Sequence, residues 1–303
     1  MSMVIDHTCG NIVDKPKLLL SAGTMFSATT PLFYTLCYDN KYAQTGAVKE
    51  HNFLHKLYKK FDKTERYKDV GWRRKNTKIR PVNTNIPEGL CTGYSMIKGD
   101  TIDDYNNYYL KLWKQIKGEY KSVADFSNQN AILSKDFMEV IKPHILQHFN
   151  VKVVMVFRDP IRRAWSKCND LCQMYQKNPF IEFVHNMYNR HADYGRIYQN
   201  YVDVWGRENV HALIMEEFWS GEKKTLCDFL DFDIKNIHEN AYYPDKGSKA
   251  PQYNYLWDQW SSNTHDLDKI TWDIACEKMQ WIYDDFEKIF GYVPKEWKVW
   301  YQT

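Results

Sequence analysis

The residues from Gly23 to Thr30 have the composition of an anion-binding loop. They read Gly-Thr-Met-Phe-Ser-Ala-Thr-Thr, follow a short apolar run at residues 17–22 and precede another apolar segment. A loop between a strand and a helix directs backbone N–H groups and the positive end of the helix dipole toward a phosphate, and hydroxyl side chains add further donors. The segment lacks the second glycine and the lysine of the Walker A motif. Taken alone, it is therefore also compatible with an ordinary tight turn.

Arg158 and Ser166 form a second candidate phosphate site. Arg158 follows an apolar run at residues 151–157, and Ser166 lies about two turns into the helix that Asp159 and Pro160 would begin. The planar fork of N–H donors on an arginine matches phosphate oxygens, and a serine hydroxyl adds a neutral donor. A strand-end arginine can equally pair with a nearby carboxylate. The two residue types alone leave both roles open.

The strands and helices that would position these residues predict an α/β fold. The β-branched, nearly continuous apolar content of residues 151–157 is typical of a central strand in a parallel sheet. Other predicted strands are at 17–22, 47–48 and 211–215. Predicted helices are at 31–38, 52–61, 134–149, 180–205, 221–230 and 267–290, with Phe137, Val140, Ile141 and Ile145 facing the core. Strands that alternate with helices predict a single domain with a central parallel sheet flanked by helices.

Length and composition favour one globular domain without a membrane segment. The chain has 303 residues, of which 44% are hydrophobic, and this is enough for one large core. No stretch approaches the roughly 18 to 20 apolar residues of a membrane-spanning helix. The first residues carry Asp6 and Asp14 and lack the pattern of a secretory signal. These features predict a cytoplasmic protein that does not bind membranes.

The seven cysteines predict neither a disulfide framework nor a metal site. They are odd in number and scattered through the chain, so a protein of this size is expected to keep them reduced. Cys168 and Cys172 are four residues apart, but no second cysteine or histidine pair lies nearby with ligand spacing. The sequence therefore predicts no bound metal.

Residues 56–80 form a strongly basic segment. They contain eleven Lys or Arg against three Asp or Glu, a net charge of +8 in a chain whose net charge is +3. A solvated helix face followed by a loop is the common explanation of such a run. The alternative is an electropositive wall that steers an anionic acceptor. No nucleic-acid-binding motif accompanies the charge, so no nucleic-acid partner is expected.

The segment from Arg158 to Ser166, Arg-Asp-Pro-Ile-Arg-Arg-Ala-Trp-Ser, closely resembles the R-D-P-x-x-R-A-x-S motif of sulfotransferases that use 3′-phosphoadenosine 5′-phosphosulfate (PAPS). In that family the motif binds the 3′-phosphate, a role that the resemblance places on Arg158 and Ser166. The first loop then aligns with the family's 5′-phosphosulfate loop, G-x-x-K-x-G-T-T-x-L. The resemblance implies donor contacts from these residues: Gly23, Thr24, Phe26, Ser27, Ala28, Thr29 and Thr30, and Lys246 and Gly247 in a segment that resembles the family's closing loop.

Two loop positions depart from the family pattern. The family's catalytic lysine falls on Phe26, and the glycine before the threonine pair falls on Ala28. That lysine neutralises charge on the bridging oxygen as the sulfuryl group leaves, so another cation is needed for comparable catalysis. Lys49 and Lys246 are the two candidates that the sequence offers.

The segment Lys49-Glu50-His51-Asn52-Phe53-Leu54 resembles the K-E-x-x-F-F segment of the heparan-sulfate-type branch, in which the glutamate takes a proton from the acceptor. The resemblance makes Glu50 the catalytic base, with Lys49 beside it, and leaves His51 as a reserve base that is more simply a structural histidine. Residues 125–133 are similar to the family's D-F-T-P-x-Y-x-L-L stretch, which supports the register. Glu216 and Glu217 are interpreted as structural.

Together these motifs predict a PAPS-dependent sulfotransferase whose acceptor is a hydroxyl or an amine of a small molecule or carbohydrate. Residues 17–303 would form its domain after an extension at 1–16, and residues 56–120 would lie on the acceptor side. One alternative is a P-loop-type nucleotide or small-molecule kinase, against which the missing lysine and Mg²⁺ ligands count. The other alternative is a non-catalytic nucleotide-binding or glycan-binding protein, because Phe26 stands at the position of the family's catalytic lysine. The sequence does not indicate an oligomeric state.

Overall fold

The computed structural model describes residues 15–25, 27, 29–46, 48–62, 97–164, 166–167, 190–238 and 266–298, with the backbone alone at 266–273. The predicted extension at 1–16 therefore lies almost wholly outside the described residues, as do Phe26, Ala28, Lys246 and Gly247. Most of the basic segment at 56–80 lies outside them as well.

The described chain folds around one five-stranded sheet in the order β2-β3-β1-β4-β5. Its strands are β1 (Lys17–Ser21), β2 (Ala43–Gln44), β3 (Ser122–Asp125), β4 (Asn150–Phe157) and β5 (Val210–Ile214). Each neighbouring pair is parallel. In the central register, Leu20 of β1 lies beside Asp125 on one side and Val153 on the other. The carboxyl ends of the strands therefore meet along one edge, and the predicted α/β fold with a central parallel sheet is confirmed.

Helices cover both faces of the sheet. They are α1 (Thr29–Tyr34, continued by a π-helical segment, Thr35–Asp39), α2 (Phe53–Phe61), α3 (Ile102–Ile116), α4 (Lys135–Leu146), α5 (helical residues 160–164 and 166–167), α6 (Tyr194–Trp205), α7 (Met215–Trp219), α8 (Lys224–Leu230), α9 (Asp266–Phe290) and α10 (Lys295–Lys298). Two 3₁₀ helices are present, Asn128–Ile132 and Arg207–Asn209.

Alternating strand residues divide the core between the two faces. Leu18 and Leu20 pack with α2, α3, α4, α6 and α9 on one face. Leu19, with Val154 and Val156 of β4, packs with α1, α7 and α8 on the other. Since both faces of β4 are covered, its sequence from Val153 to Phe157 is continuously apolar rather than alternating. Each such side chain contributes about 1.5 to 3 kcal/mol by leaving water, so the central strands form a rigid base for the loops at their ends.

The second strand lies earlier in the chain than the sequence predicts. The sequence predicts this strand at Ala47 and Val48, whereas β2 pairs through Ala43 and Gln44; Val48 forms an isolated bridge, and Ala47 lies outside the described residues. Gly46 ends the extended segment because its φ is +82°, in the left-handed region that favours glycine. Its missing side chain leaves room for the Tyr108 hydroxyl, 2.1 Å from where a Cβ would be.

Three helix predictions also need correction. The helix predicted for 180–205 begins at Tyr194 within the described residues, because the Asp193 side chain caps it by accepting from the Arg196 N–H at 3.1 Å. The helix predicted from residue 221 begins at Lys224. Val140, predicted to face the core, is 52% exposed on α4.

Within the described residues, no helix is both long and apolar enough to span a membrane.

Candidate active site

The candidate site lies where β1, β3 and β4 end. The loop of residues 23–29 follows β1, Asn128 comes shortly after β3, and Arg158 directly follows β4. Open α/β sheets bind ligands at the carboxyl ends of their strands, because the chain turns there into loops and helix N-termini. The fold thus brings both predicted phosphate-binding segments to one edge.

The loop after β1 is fixed to β4 by backbone hydrogen bonds. The Thr24 N–H donates to the Val156 carbonyl at 2.9 Å, and the Val156 N–H donates to the Gly23 carbonyl at 2.8 Å. The hydroxyls of Thr24 and Ser27 are 2.6 Å apart and both residues are buried. These contacts hold Gly23, Thr24 and Ser27 against the end of β4.

Gly23 is required at its position by conformation and by space. Its φ is +72°, which side chains rarely adopt. A Cβ built there would lie 2.7 Å from the Ala131 Cβ and 3.0 Å from the Asn128 carbonyl oxygen. The donor loop therefore packs directly on the 3₁₀ helix that follows β3.

Four side chains form a closed ring of hydrogen bonds beside this loop. Lys49 Nζ donates to Glu50 Oε1 at 3.0 Å and to Thr29 Oγ1 at 3.3 Å. The Thr29 hydroxyl donates to Asn128 Oδ1 at 2.6 Å. Asn128 Nδ2 completes the ring by donating to Glu50 Oε1 at 2.7 Å. The predicted base, its lysine neighbour and a threonine of the predicted donor loop are thus brought into direct contact.

The two charged side chains of this ring, Lys49 and Glu50, differ in burial. The Lys49 side chain is only 1% exposed, whereas Glu50 is 28% exposed. A buried ammonium is costly unless it is paired, and the Glu50 carboxylate offsets part of that cost. Burial raises the pKa of the nearby Cys37 thiol well above its ordinary value, although the charge of Lys49 lowers it in part. Cys37 is therefore a neutral neighbour of Lys49.

A buried polar network holds the segment that carries Lys49 and Glu50. Asp125 accepts from the Tyr105 hydroxyl at 3.2 Å and from the Ser127 N–H at 3.0 Å. The Ser127 hydroxyl oxygen accepts from the Asn52 N–H at 2.8 Å. Asn52 has a φ of +53°, which turns the chain sharply before α2 begins at Phe53. The base segment is thus fixed to the end of β3.

His51 has a structural role. It is fully buried, and its Nε2 donates to the Thr45 carbonyl at 2.8 Å, since a carbonyl can only accept. Burial lowers its pKa, partly opposed by Asp125 and by the bond to Thr45. Its ring lies against Tyr108 and Tyr109, with centroids 4.9 and 5.9 Å away. A buried ring held in this way serves the packing of the segment between β2 and α2.

Arg158 directly follows β4, the strand that flanks β1 on the side away from β3. Its carbonyl accepts from the Tyr194 hydroxyl at 2.7 Å, which fixes the backbone that carries the guanidinium. Arg158 and Ser166 are both half-buried, and Ser166 lies on α5 as predicted. Thr30 lies half-buried in the first turn of α1.

Asp159 anchors the start of α5. Its side chain accepts from the Arg162 N–H at 2.8 Å, the capping bond that the sequence predicts, and from the Tyr283 hydroxyl at 3.0 Å. Burial raises the pKa of Asp159 to about 6, despite these two bonds. Glu216 accepts from the Asp159 N–H at 3.2 Å and from Trp297 Nε1 at 2.9 Å. Glu216 thus has the structural role predicted for it.

The contribution of Asn128 to the ring is not predicted by the sequence. It stands at the position of the proline in the family's D-F-T-P stretch, and this mismatch is the one available signal. Among the described residues, no three His, Cys, Asp or Glu side chains are grouped so that they could hold a metal ion.

Comparison with known proteins establishes the fold. No protein-family model matches the chain, and no curated protein matches it significantly. The crystal structure of a sulfotransferase from Alicyclobacillus acidocaldarius superposes with a TM-score of 0.53 at 14% identity, covering 94% of this chain and 100% of that one. The chain therefore has the P-loop-like α/β fold of that sulfotransferase.

Two further solved structures are similar over much of the chain. The sulfotransferase domain of the Synechococcus PCC 7002 olefin synthase is 16% identical, with a TM-score of 0.43, and the alignment covers 93% of this chain and 96% of that domain. The sulfotransferase domain of the curacin biosynthetic pathway is 14% identical, with a TM-score of 0.45, and covers 88% and 98%. At these scores the fold assignment rests on the Alicyclobacillus structure.

Proposed function

We propose that this protein is a sulfotransferase that moves a sulfuryl group from PAPS to a hydroxyl or an amine of an acceptor. The observation that carries the proposal is the ring in which Glu50 and Lys49 contact Thr29 at the loop after β1. A proton acceptor and a buried cation thereby lie at one point of an anion-binding loop. Sulfuryl transfer requires a proton acceptor beside the attacking atom and positive charge near the sulfuryl and leaving oxygens.

The residues of the site fit the donor that the sequence motifs imply. The loop of residues 23–30 would hold the 5′-phosphosulfate through backbone N–H groups and the hydroxyls of Thr29 and Thr30, because the helical backbone that begins at Thr29 continues to Asp39. Arg158 and Ser166 would hold the 3′-phosphate, since Arg158 directly follows β4, the neighbour of β1, and Ser166 lies on the helix after it. Cations and hydroxyls are the side chains that phosphate and sulfuryl oxygens require.

Glu50 acts as the general base of the proposed reaction. It takes the proton from the acceptor oxygen or nitrogen as that atom forms a bond to sulfur, and the bond from sulfur to the bridging phosphate oxygen breaks. The electron pair of the broken bond stays on the departing phosphate oxygen. An exposure of 28% lets the Glu50 carboxylate meet an acceptor from solvent while its Oε1 stays bonded to Lys49 and Asn128. In-line geometry places the acceptor opposite the leaving oxygen.

Lys49 supplies the cation that the loop itself lacks at Phe26. Its ammonium reaches Thr29 Oγ1 at 3.3 Å from a segment that precedes α2, rather than from within the loop. A preorganised donor of this kind is worth about 3 to 4 kcal/mol at a developing oxyanion. The proposal thus accounts for activity without the family's usual lysine.

The acceptor is proposed to be a small molecule or a carbohydrate. The heparan-sulfate-type character of the segment at 49–54 favours a carbohydrate, and the charge of residues 56–80 favours an anionic one. Residues 56–120 would then line the acceptor side, because they directly follow the base segment in the chain.

Sulfuryl transfer from ³⁵S-labelled PAPS to a panel of sugars, phenols, alcohols and amines tests the proposal. The expected result is labelled product with the wild-type protein and at least a ~100-fold lower rate with Glu50→Gln, which keeps the shape of the side chain but cannot accept the proton. Glu119→Gln, a change at an exposed glutamate that pairs with Lys41, is the matched control. Parallel reactions contain ATP and Mg²⁺ in place of PAPS. Phosphoryl transfer from ATP, without any sulfuryl transfer from PAPS, would contradict the proposal.

A further inference from the structure

Asn128 joins the two parts of the proposed active site, although neither predicted motif includes it. It begins the 3₁₀ helix that follows β3. Its Nδ2 donates to Glu50 Oε1 at 2.7 Å, and its Oδ1 accepts from the Thr29 hydroxyl at 2.6 Å. One amide therefore bonds both the proposed base and the proposed donor loop.

We propose that Asn128 is a positioning residue that sets the orientation of the Glu50 carboxylate relative to the donor loop. The inference rests on the proposed function, because the task it assigns to Asn128 is to align proton transfer by Glu50. Asn128 has no contact with the reacting atoms in this role and acts through Glu50.

An amide suits this position for a chemical reason. An ionised carboxylate can only accept a hydrogen bond, and the Thr29 hydroxyl donates here, so the residue between them must offer one donor and one acceptor. A side-chain amide presents both in a fixed plane. A carboxylate in its place would turn two oxygens toward Glu50 and Thr29, and an aliphatic side chain would offer neither bond.

The bonds to Glu50 also assign its two oxygens. Asn128 and Lys49 both donate to Oε1, at 2.7 and 3.0 Å. Oε2 is then the oxygen that takes the acceptor proton. The backbone of Asn128 also lies close to Gly23, since a Cβ built on Gly23 would be 3.0 Å from the Asn128 carbonyl oxygen. The carboxylate is therefore aligned by a residue that packs on the donor loop itself.

Asn128→Asp tests the positioning role with almost no change of shape. It places a second carboxylate next to Glu50 Oε1, and two carboxylates that share a site hold a proton to higher pH. We expect the acid limb of the pH profile of kcat/KM to move upward by about 1 to 3 pH units. The midpoint of the Glu50 titration, followed by ¹³C NMR of its carboxyl carbon and assigned with Glu50→Gln, should move with it. Asn128→Ala should lower kcat about 10- to 100-fold, the value of a hydrogen bond to a charged group.

Gln129→Glu is the matched control. It makes the same amide-to-carboxylate change one residue later, at a side chain whose amide contacts the Met25 sulfur at 3.3 Å instead of Glu50. Its acid limb should move by less than about half a pH unit, because the added charge is farther away and partly solvated.

The outcomes separate this inference from the proposed function. Turnover of Asn128→Asp with an unmoved acid limb and an unmoved Glu50 midpoint would overturn the positioning role. A moved midpoint without sulfuryl transfer by any variant, wild type included, would support the coupling of Asn128 to Glu50 and overturn the proposed function. If Asn128→Asp does not fold, Asn128→Ala decides, because a wild-type kcat in that variant excludes the role.

Discussion

Replacing Lys49 by methionine should abolish most activity while leaving the fold intact. The ammonium is 1% exposed and lies 3.0 Å from Glu50 Oε1 and 3.3 Å from Thr29 Oγ1. Two opposite unit charges about 3 Å apart, such as the ammonium and an anionic oxygen, attract each other by about 5 kcal/mol at an effective dielectric constant of about 20. Part of this is offset by the cost of burying the ammonium, so we take the measured value of about 3 to 4 kcal/mol for one oxyanion donor. The expected loss in kcat is therefore about 100- to 1000-fold.

The stability of Lys49→Met should change far less than its activity. Methionine fills a similar volume, and Glu50 keeps its bond from Asn128 and its 28% exposure to water. We expect the free energy of unfolding to change by about 1 kcal/mol or less, because the remaining carboxylate is neither fully buried nor without a partner.

The assay for this prediction is the release of 3′-phosphoadenosine 5′-phosphate from PAPS, with urea unfolding measured on the same samples. Lys41→Met is the matched control, because Lys41 also pairs with a glutamate but is 59% exposed. Turnover of Lys49→Met within about threefold of the wild-type value, less than 1 kcal/mol in the barrier, would refute the assignment of Lys49 as the cation. A large loss of unfolding free energy would show instead that Lys49 serves the fold.

Two further predictions concern the framework around the site. Gly23→Ala should lower the free energy of unfolding by about 2 kcal/mol or more, since a Cβ at a φ of +72° would lie 2.7 Å from the Ala131 Cβ. Gly291→Ala, at a φ of +80° with open space around it, isolates the backbone cost in urea unfolding, and an equal loss in the two variants would exclude the steric cause. Asp159→Asn should remove a pH dependence of stability. Burial raises the pKa of Asp159 from 3.8 to about 6, so the folded state holds this proton more tightly than the unfolded chain does. The resulting gain in the free energy of unfolding is complete below pH 3.8 and is lost as the pH rises through 6. That loss is about 3 kcal/mol. Urea unfolding between pH 4 and 7 should show wild-type stability falling relative to Asp159→Asn, and a constant difference between them would be inconsistent with the burial argument.

The sequence predicts the central strands well because their patterns have one physical cause. The run at 151–157 is apolar except for Lys152 because both of its faces are buried, and it forms most of β4 (Asn150–Phe157) in the structure. The strand predicted at 47–48 lies too late in the chain, because Ala43 and Gln44 pair with β3 and Gly46, with a φ of +82°, turns the backbone before Val48. Tertiary contacts override local preference in such short strands.

The candidate site is predictable in part, since its motifs name residues but not their contacts. Glu50, Lys49 and Thr29 are each selected by a sequence motif, and the structure adds that they bond to one another. The bond between Asn128 and Glu50 spans 78 positions of the chain. No periodicity reports a contact at that separation, because it arises only when β2, which precedes Glu50, pairs beside β3, which precedes Asn128. The sheet order, rather than any local pattern, creates the ring.

Calorimetric titration with 3′-phosphoadenosine 5′-phosphate is the measurement to make first, because it tests the proposed nucleotide site without knowledge of the acceptor. Arg158 lies at the end of β4, where the 3′-phosphate is proposed to bind. We expect the wild-type protein to bind this nucleotide at least about 10-fold more tightly than Arg158→Ala does, the value of about 1.5 to 3 kcal/mol for a charged hydrogen bond. We also expect markedly weaker binding of ATP, which lacks the 3′-phosphate. Equal affinity for ATP, or unchanged affinity in Arg158→Ala, would exclude a sulfotransferase donor site at Arg158.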